Sequence, residues 1–365
     1  MNFNELHKYL KENKLPAFRE KQIYGAYFGA LADSWEAVTV LPKDLREKLE
    51  KEIPWDSLKP ERIAKNKEEN CFKAGLKLED GRQVESVLIR HADKRNTVCV
   101  SSQVGCPLGC AFCATGQSGF KRNLEAHEIV EQIIFFARWL KNLDKGRDGQ
   151  DSEEGSEGAM HGKDRKNQER EEAKVTNIVF MGMGEPMLNY DNVISAIKIL
   201  NDKNGFGLGA RHISISTIGI PEGIRKLAKE NLQVNLAFSL HAPNDKLRSN
   251  LCPINKRFSI KRVIEAIDEY IEKTNRKVMV EYVMLKGVND NEENARELAE
   301  LLKGRKLYYV NLILYNKTLD FEPSPKEKVE KFKALLEKAR IQVTIRKEFG
   351  REIWAACGML KSAKN

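Results

Sequence analysis

Three cysteines, Cys106, Cys110 and Cys113, fall within the run Gly105-Cys106-Pro107-Leu108-Gly109-Cys110-Ala111-Phe112-Cys113-Ala114-Thr115-Gly116. Cysteine thiolates are the usual ligands of iron–sulfur clusters. An x3 then x2 spacing, with Gly and Pro to let the backbone curl, allows three sulfurs to converge on one face of a cubic cluster. Three ligands for four irons leave one iron open, and an open coordination position is where a bound metal does chemistry. The same thiols could instead form a zinc site completed by a remote fourth ligand. Cys357, flanked by Ala356 and Gly358 rather than by bulk, is a candidate nucleophile once ionised. Cys71 and Cys252 match no chemical pattern and read as inert core thiols.

The chain has 365 residues, 32% charged and 41% hydrophobic, which allows one large domain, or a large domain with a small appendage. No apolar run approaches a membrane span, and the start MNFNELHKYL lacks the apolar core of a signal peptide. The seven cysteines then point to a reducing cytoplasm, where metal binding or redox catalysis outranks structural disulfides. A net charge of +9 suits a polyanionic partner without identifying it.

Those thiols need elements to position them. Residues 1–60 read as a small helical bundle, with Leu6, Tyr9 and Leu10, then Ile23, Tyr24, Ala26 and Tyr27, then Leu45 and Leu49 facing inward. Within 61–96 the period changes to two, with Phe72 to Leu78 and Val84 to Ile89 flanking the turn Glu79-Asp80-Gly81, a linker hairpin. From residue 97 to 365, strands near 97–102, 175–181, 211–216, 233–239, 278–285, 307–314 and 341–346 alternate with helices near 125–142, 190–201, 221–230, 259–273, 291–303 and 325–339. That alternation predicts an α/β fold, a partial barrel of six strand–helix repeats with one strand left over. The segment 144–173 is more than half charged, with Met160 its one large apolar residue. It is read as a disordered insertion loop with His161 solvated and inert.

In such barrels function gathers where strands end. The cysteine loop follows the first strand, Met181-Gly182-Met183-Gly184-Glu185-Pro186 the second, Ser216-Thr217 the third, Ser239-Leu240-His241 the fourth and Tyr315-Asn316 the sixth. Five such ends on one rim are a stronger signal than any one alone.

The C-x3-C-x2-C pattern with Phe112 before its last Cys resembles the radical S-adenosylmethionine (SAM) superfamily. The longer run from Cys99 to Gly116 resembles the RNA adenine methyltransferases of that superfamily, which methylate carbon 2 of adenosine in 23S ribosomal RNA and tRNA. So do Met181 to Asn189, Ser239-Leu240-His241-Ala242, Pro253-Ile254-Asn255-Lys256 and Ala356 to Leu360. The resemblance covers nearly the whole chain apart from 144–173. It implies a radical SAM barrel, a 4Fe-4S cluster on Cys106, Cys110 and Cys113, and two SAM molecules per turnover. It further implies an electron donor such as flavodoxin, a monomer, and an RNA-binding role for residues 1–60. Gly184 and Glu185 match the GGEP motif that holds the methionyl amine, with Met183 in place of its first Gly. Ser216, Ser239, Leu240, His241 and Asn316 fall where ribose and adenine contacts are expected.

Carbon 2 of adenine bears no nucleophilic lone pair, so it cannot attack a SAM methyl directly and a radical route is needed. The resemblance implies that Cys357 carries the methyl, that its methylene radical joins the adenine, and that Cys99 then releases it as a disulfide forms. Glu85 matches the carboxylate that accepts a proton. Two alternatives stay open: the sister activity that methylates carbon 8 of adenosine in 23S rRNA, and a non-catalytic, zinc-stabilised RNA-binding protein.

Overall fold

The computed structural model describes residues 1–148 and 174–361. Its strands are β1 (Lys59–Lys65), β2 (Cys71–Lys77), β3 (Gln83–Arg90), β4 (Asn96–Cys99), β5 (Gln103–Gly105), β6 (Phe120–Asn123), β7 (Asn177–Phe180), β8 (Ile213–Thr217), β9 (Asn235–Ser239), β10 (Val278–Met284), β11 (Tyr308–Leu314) and β12 (Val343–Ile345). Ten of them make one sheet in the order β1-β2-β3-β4-β7-β8-β9-β10-β11-β12. The sheet is parallel from β4 onward and antiparallel from β1 to β4. Helices Ala126–Asp148, Tyr190–Asn201, Pro221–Leu227, Ile260–Thr274, Glu292–Leu302 and Lys326–Lys338 alternate with the parallel strands as expected.

The alternation follows from burial. β10 reads Val-Met-Val-Glu-Tyr-Val-Met and is covered on both faces, as a central parallel strand must be. Helix Glu292–Leu302 starts where the Asn291 side chain accepts from the Asn294 N–H at 2.8 Å, with Glu292 and Glu293 in its first turn favouring the dipole. It then turns Ala295, Leu298 and Leu302 to the sheet. Helix Ile260–Thr274 ends on Asn275 in the left-handed conformation.

Several details differ from the sequence expectation. The hairpin of β2 and β3 is hydrogen-bonded into the barrel sheet, with Val87 opposite Cys99. Strand β1 was not foreseen because its exposed, charged sequence begins beside Pro60. An edge strand tolerates a proline, and a register shift between Pro60 and Arg62 accommodates it. The β5–β6 hairpin framing the cysteine loop was also missed, since each strand is too short to show a period. So was helix Asp245–Leu251. Helix Ala126–Asp148 continues past its expected end at residue 142, and the rest of the charged segment to 173 lies outside the described residues.

Residues 1–60 form helices Phe3–Glu12, Phe18–Tyr24 and Lys43–Glu52, with a π-helical turn at Gly25–Gly29. Aromatic rings fill the space between them, Trp35 meeting Trp55 edge to face at 4.7 Å. The buried carboxylate of Glu131, on helix Ala126–Asp148, accepts from the Ser57 N–H and hydroxyl and the Leu58 N–H at 2.8–2.9 Å. Arg138 on the same helix pairs with Asp56 at 2.5 Å.

Candidate active site

The cysteine loop is held at its base by the loop that follows β7. Ser101 Oγ accepts from the Met183 N–H at 2.9 Å and donates to the Glu85 carbonyl at 2.6 Å, while the Gln103 amide oxygen accepts from the Glu185 N–H at 2.9 Å. The buried Gln132 brackets Ser101, accepting from its N–H and donating to its carbonyl. Gly184 sits at φ 98°, and a Cβ there would come within 2.5 Å of the Gln103 side chain, so the two loops approach as closely as they do only because this residue is glycine.

The chain's end closes over the same loop. Ala114 N–H donates to the Gly358 carbonyl at 2.9 Å, the Thr115 hydroxyl donates to the Leu360 carbonyl at 2.5 Å, and the Thr318 hydroxyl to the Phe112 carbonyl at 3.3 Å. These bonds carry Cys357 to the rim although it lies far from the cysteine loop in sequence.

A cavity of about 150 Å³ results at the strand ends. Cys106, Cys110 and Cys113 line it, together with Gly184, Glu185, Ser216, Ser239, His241, Asn316 and Cys357. Leu240 does not. Its side chain is fully buried, its N–H donates to the Glu281 carbonyl and its carbonyl accepts from Arg248. Glu85 also lies off the cavity, paired with Lys73 at 2.9 Å and accepting from the Lys361 N–H at 2.9 Å.

A second cavity, of about 590 Å³, lies further inside the barrel and has Cys99 and Arg346 in its wall. Cys357, Met181, Leu314 and Asn316 border both. All seven cysteines are free thiols.

Burial pushes the Cys106 thiol up to about 12 and also raises Cys113, so metal binding at these sulfurs releases protons. Among the described residues no three His, Cys, Asp or Glu side chains come close enough to share a single metal ion. Cys106, Cys110 and Cys113 nevertheless line one and the same cavity. Cys252, read from the sequence as inert, lies in hydrogen-bond contact with the thiol of Cys110.

The remaining polar groups fit a ligand with amine, hydroxyl and heterocyclic nitrogen. Asn316 Oδ1 is buried without a hydrogen-bond partner. His241 is held neutral, its pKa pushed down to about 3 by burial and then by Arg248. Its Nδ1 accepts from the Val283 N–H at 3.1 Å, so its proton is on Nε2. Glu185 has its oxygens on the Met187 and Ile218 N–H groups at 3.0 and 2.9 Å, and burial raises its pKa against those bonds.

Two residues essential to this arrangement escaped the sequence reading. Glu281, 3% exposed, accepts from Ser216 at 2.6 Å and Ser239 at 3.2 Å and pairs with Arg346 at 3.3 Å. Arg346 in turn lies 3.9 Å from the Cys357 sulfur. A carboxylate amid an otherwise apolar parallel strand was the signal available for Glu281. Cys357 is exposed at the cavity border, yet desolvation by the surrounding protein raises its pKa; Arg346 opposes the rise and Glu281 adds to it. Removing the Glu281 charge therefore lowers that pKa and removing Arg346 raises it. The pH midpoint for iodoacetamide alkylation of the Cys357 peptide, read by mass spectrometry, should move down in Glu281→Gln and up in Arg346→Gln. A shared direction would disprove this assignment of charges.

Residues 164–299 match the Radical SAM superfamily. A probable dual-specificity RNA methyltransferase RlmN of Dictyoglomus turgidum is 42% identical, over 98% of this chain and 94% of its own length. The ribosomal RNA large subunit methyltransferase N of Nitrosopumilus maritimus is 41% identical, over 98% and 96%. The crystal structure of a radical SAM methyltransferase from Sphaerobacter thermophilus superposes with a TM-score of 0.87 at 40% identity, covering 99% of this chain and 97% of that one. No helix among the described residues is long and apolar enough to cross a membrane. A shared architecture at this identity and coverage, with three thiols on the rim of the barrel, places the chain in the RlmN family of radical SAM RNA methyltransferases.

Proposed function

We propose that the chain methylates carbon 2 of adenosine in 23S rRNA and in tRNA, carrying the methyl on Cys357 through a covalent RNA adduct. Two SAM molecules are consumed per turnover by a monomeric enzyme supplied with electrons by a donor such as flavodoxin. The observation that carries this reading is the place of Cys357 on the border of two cavities, one with the three loop thiols, the other with Cys99.

Family membership implies a 4Fe-4S cluster and SAM. Cys106, Cys110 and Cys113 would hold the first, and Gly184, Glu185, Ser216, Ser239, His241 and Asn316 would surround the second. When bound, these groups supply a methyl cation equivalent and a carbon-centred radical. The protein's own part is to present and then release sulfur. Arg346, 3.9 Å away, favours the Cys357 thiolate, the form that attacks a methyl sulfonium. Glu281 fixes the guanidinium in turn. Glu85, off the cavity and holding the Lys361 N–H of the loop carrying Cys357, is the carboxylate that accepts the carbon-2 proton once the RNA has brought its adenine over that loop. The Cys99 thiolate attacks the sulfur of Cys357, so that an S–S bond forms as the bond from sulfur to the methylene carbon breaks, and the electron pair left on that carbon takes up a proton to give the methylated base.

The test is nucleoside mass spectrometry on rRNA and tRNA incubated with reconstituted enzyme, SAM and a reductant. The expected product is 2-methyladenosine in both RNAs. A product of 8-methyladenosine assigns the sister activity, and methylated protein with unmodified RNA refutes the reading.

A further inference from the structure

We propose that Trp354 is a stacking platform for an unpaired base of the RNA substrate, next to the adenosine that meets Cys357. The inference rests on the RNA methyltransferase reading. Trp354 precedes Cys357 on the C-terminal loop and is 50% exposed, whereas Trp35 and Trp55 are buried and Trp139 is half-buried. Its backbone is left-handed, with φ 55°, a region in which a bulky residue is an outlier. Such a conformation persists only where its surroundings hold it, and it concentrates at functional sites. Here Ala355 N–H donates to the Gly350 carbonyl at 2.9 Å, and Lys73 Nζ donates to the Trp354 carbonyl at 3.1 Å. The backbone is tied down and the indole is left standing in solvent.

The charges around it suit a polyanion. Lys361 Nζ lies 5.8 Å from the indole centroid, and Arg351 is exposed nearby on the same loop. Of the acidic groups, Glu85 is neutralised by Lys73, while Glu352 keeps its charge and accepts from the Lys67 N–H. Unpaired RNA bases are read by stacking on aromatic side chains, with lysines and arginines on the neighbouring phosphates. An adenosine that must approach Cys357 brings its neighbours past this ring. Together the held strain, the open indole and the cationic rim point to a nucleobase as its occupant.

The experiment measures the affinity of cluster-loaded enzyme for an unmodified tRNA transcript, using wild type, Trp354→Phe, Trp354→Leu and Trp354→Ala. Stacking predicts that Leu and Ala weaken binding roughly 5- to 150-fold while Phe keeps most of it. It also predicts that RNA shields wild-type indole fluorescence from acrylamide, and that the shielding is lost in Trp354→Phe. If wild type binds RNA and Trp354→Leu binds as tightly, or if no shielding is seen, the stacking assignment is wrong and the functional reading survives. If Trp354→Leu changes only self-association, the ring belongs to a protein contact and the assignment is again wrong. Wild-type enzyme that binds no RNA defeats both readings together.

Discussion

Cys113→Ala protein purified without oxygen should be colourless, with its iron and acid-labile sulfide gone and no reductive cleavage of SAM. Cys106→Ala should behave in the same way. The cysteine loop offers three thiols to the cavity, Cys357 being the methyl carrier on its border, and one iron must stay open for SAM. Two sulfurs cannot hold the cluster and leave that iron free. The Cys113 N–H donates to the Cys110 carbonyl at 3.1 Å, which holds the last turn of the cysteine loop in place. Cys110 is a different case. Cys252 lies against it, so Cys110→Ala should be made together with Cys252→Ala to remove a sulfur that can take its place. Iron analysis and visible absorbance read the result. A Cys113→Ala protein with full iron and normal SAM cleavage would falsify the assignment.

The cysteine loop and the barrel were legible in the sequence for different reasons. Cys106, Cys110 and Cys113 lie close enough in the chain that spacing reports geometry. The parallel strands, apolar on both faces, announce themselves by composition, as β9 and β10 do. What could not be read was any relation made across the fold. Cys252 looks inert in its own segment and becomes notable only because the Ala111 N–H donates to the Leu251 carbonyl at 2.9 Å, which brings it to Cys110. Glu281 and Arg346 belong to strand β10 and to the residue after β12, and only the curvature of the sheet brings their charges together beside Cys357. Leu240 shows the opposite case: its position between Ser239 and His241 suggested a ligand contact, whereas the fold buries its side chain in the core just past the end of β9.

Cys99→Ala should trap the enzyme on its RNA. If Cys99 is the resolving thiol, its loss leaves methyl transfer to Cys357 and addition to adenine intact and blocks only release. The protein should then accumulate as a covalent adduct in cells. Cys357→Ala should give neither methylated protein nor adduct, and the double variant should match it, since no bond forms for Cys99 to break. The geometry supports this order of events, because Cys99 and Cys357 border one cavity while Cys99 lies off the cavity of the three loop thiols. The Cys99 thiol adds a pH dependence. Burial pushes it up to about 12, with Cys357 adding to the rise and Arg346 opposing it. Attack needs the thiolate, whose fraction grows as pH rises toward that value, so the adduct standing in wild-type reactions should shrink between neutral and alkaline pH. In Cys99→Ala the adduct should show no such decline between neutral and alkaline pH. Denaturing gels with and without ribonuclease read both effects. Absence of a ribonuclease-sensitive band in Cys99→Ala would make Cys99 an ordinary strand residue, and a band that persists in Cys357→Ala would place the methyl carrier elsewhere.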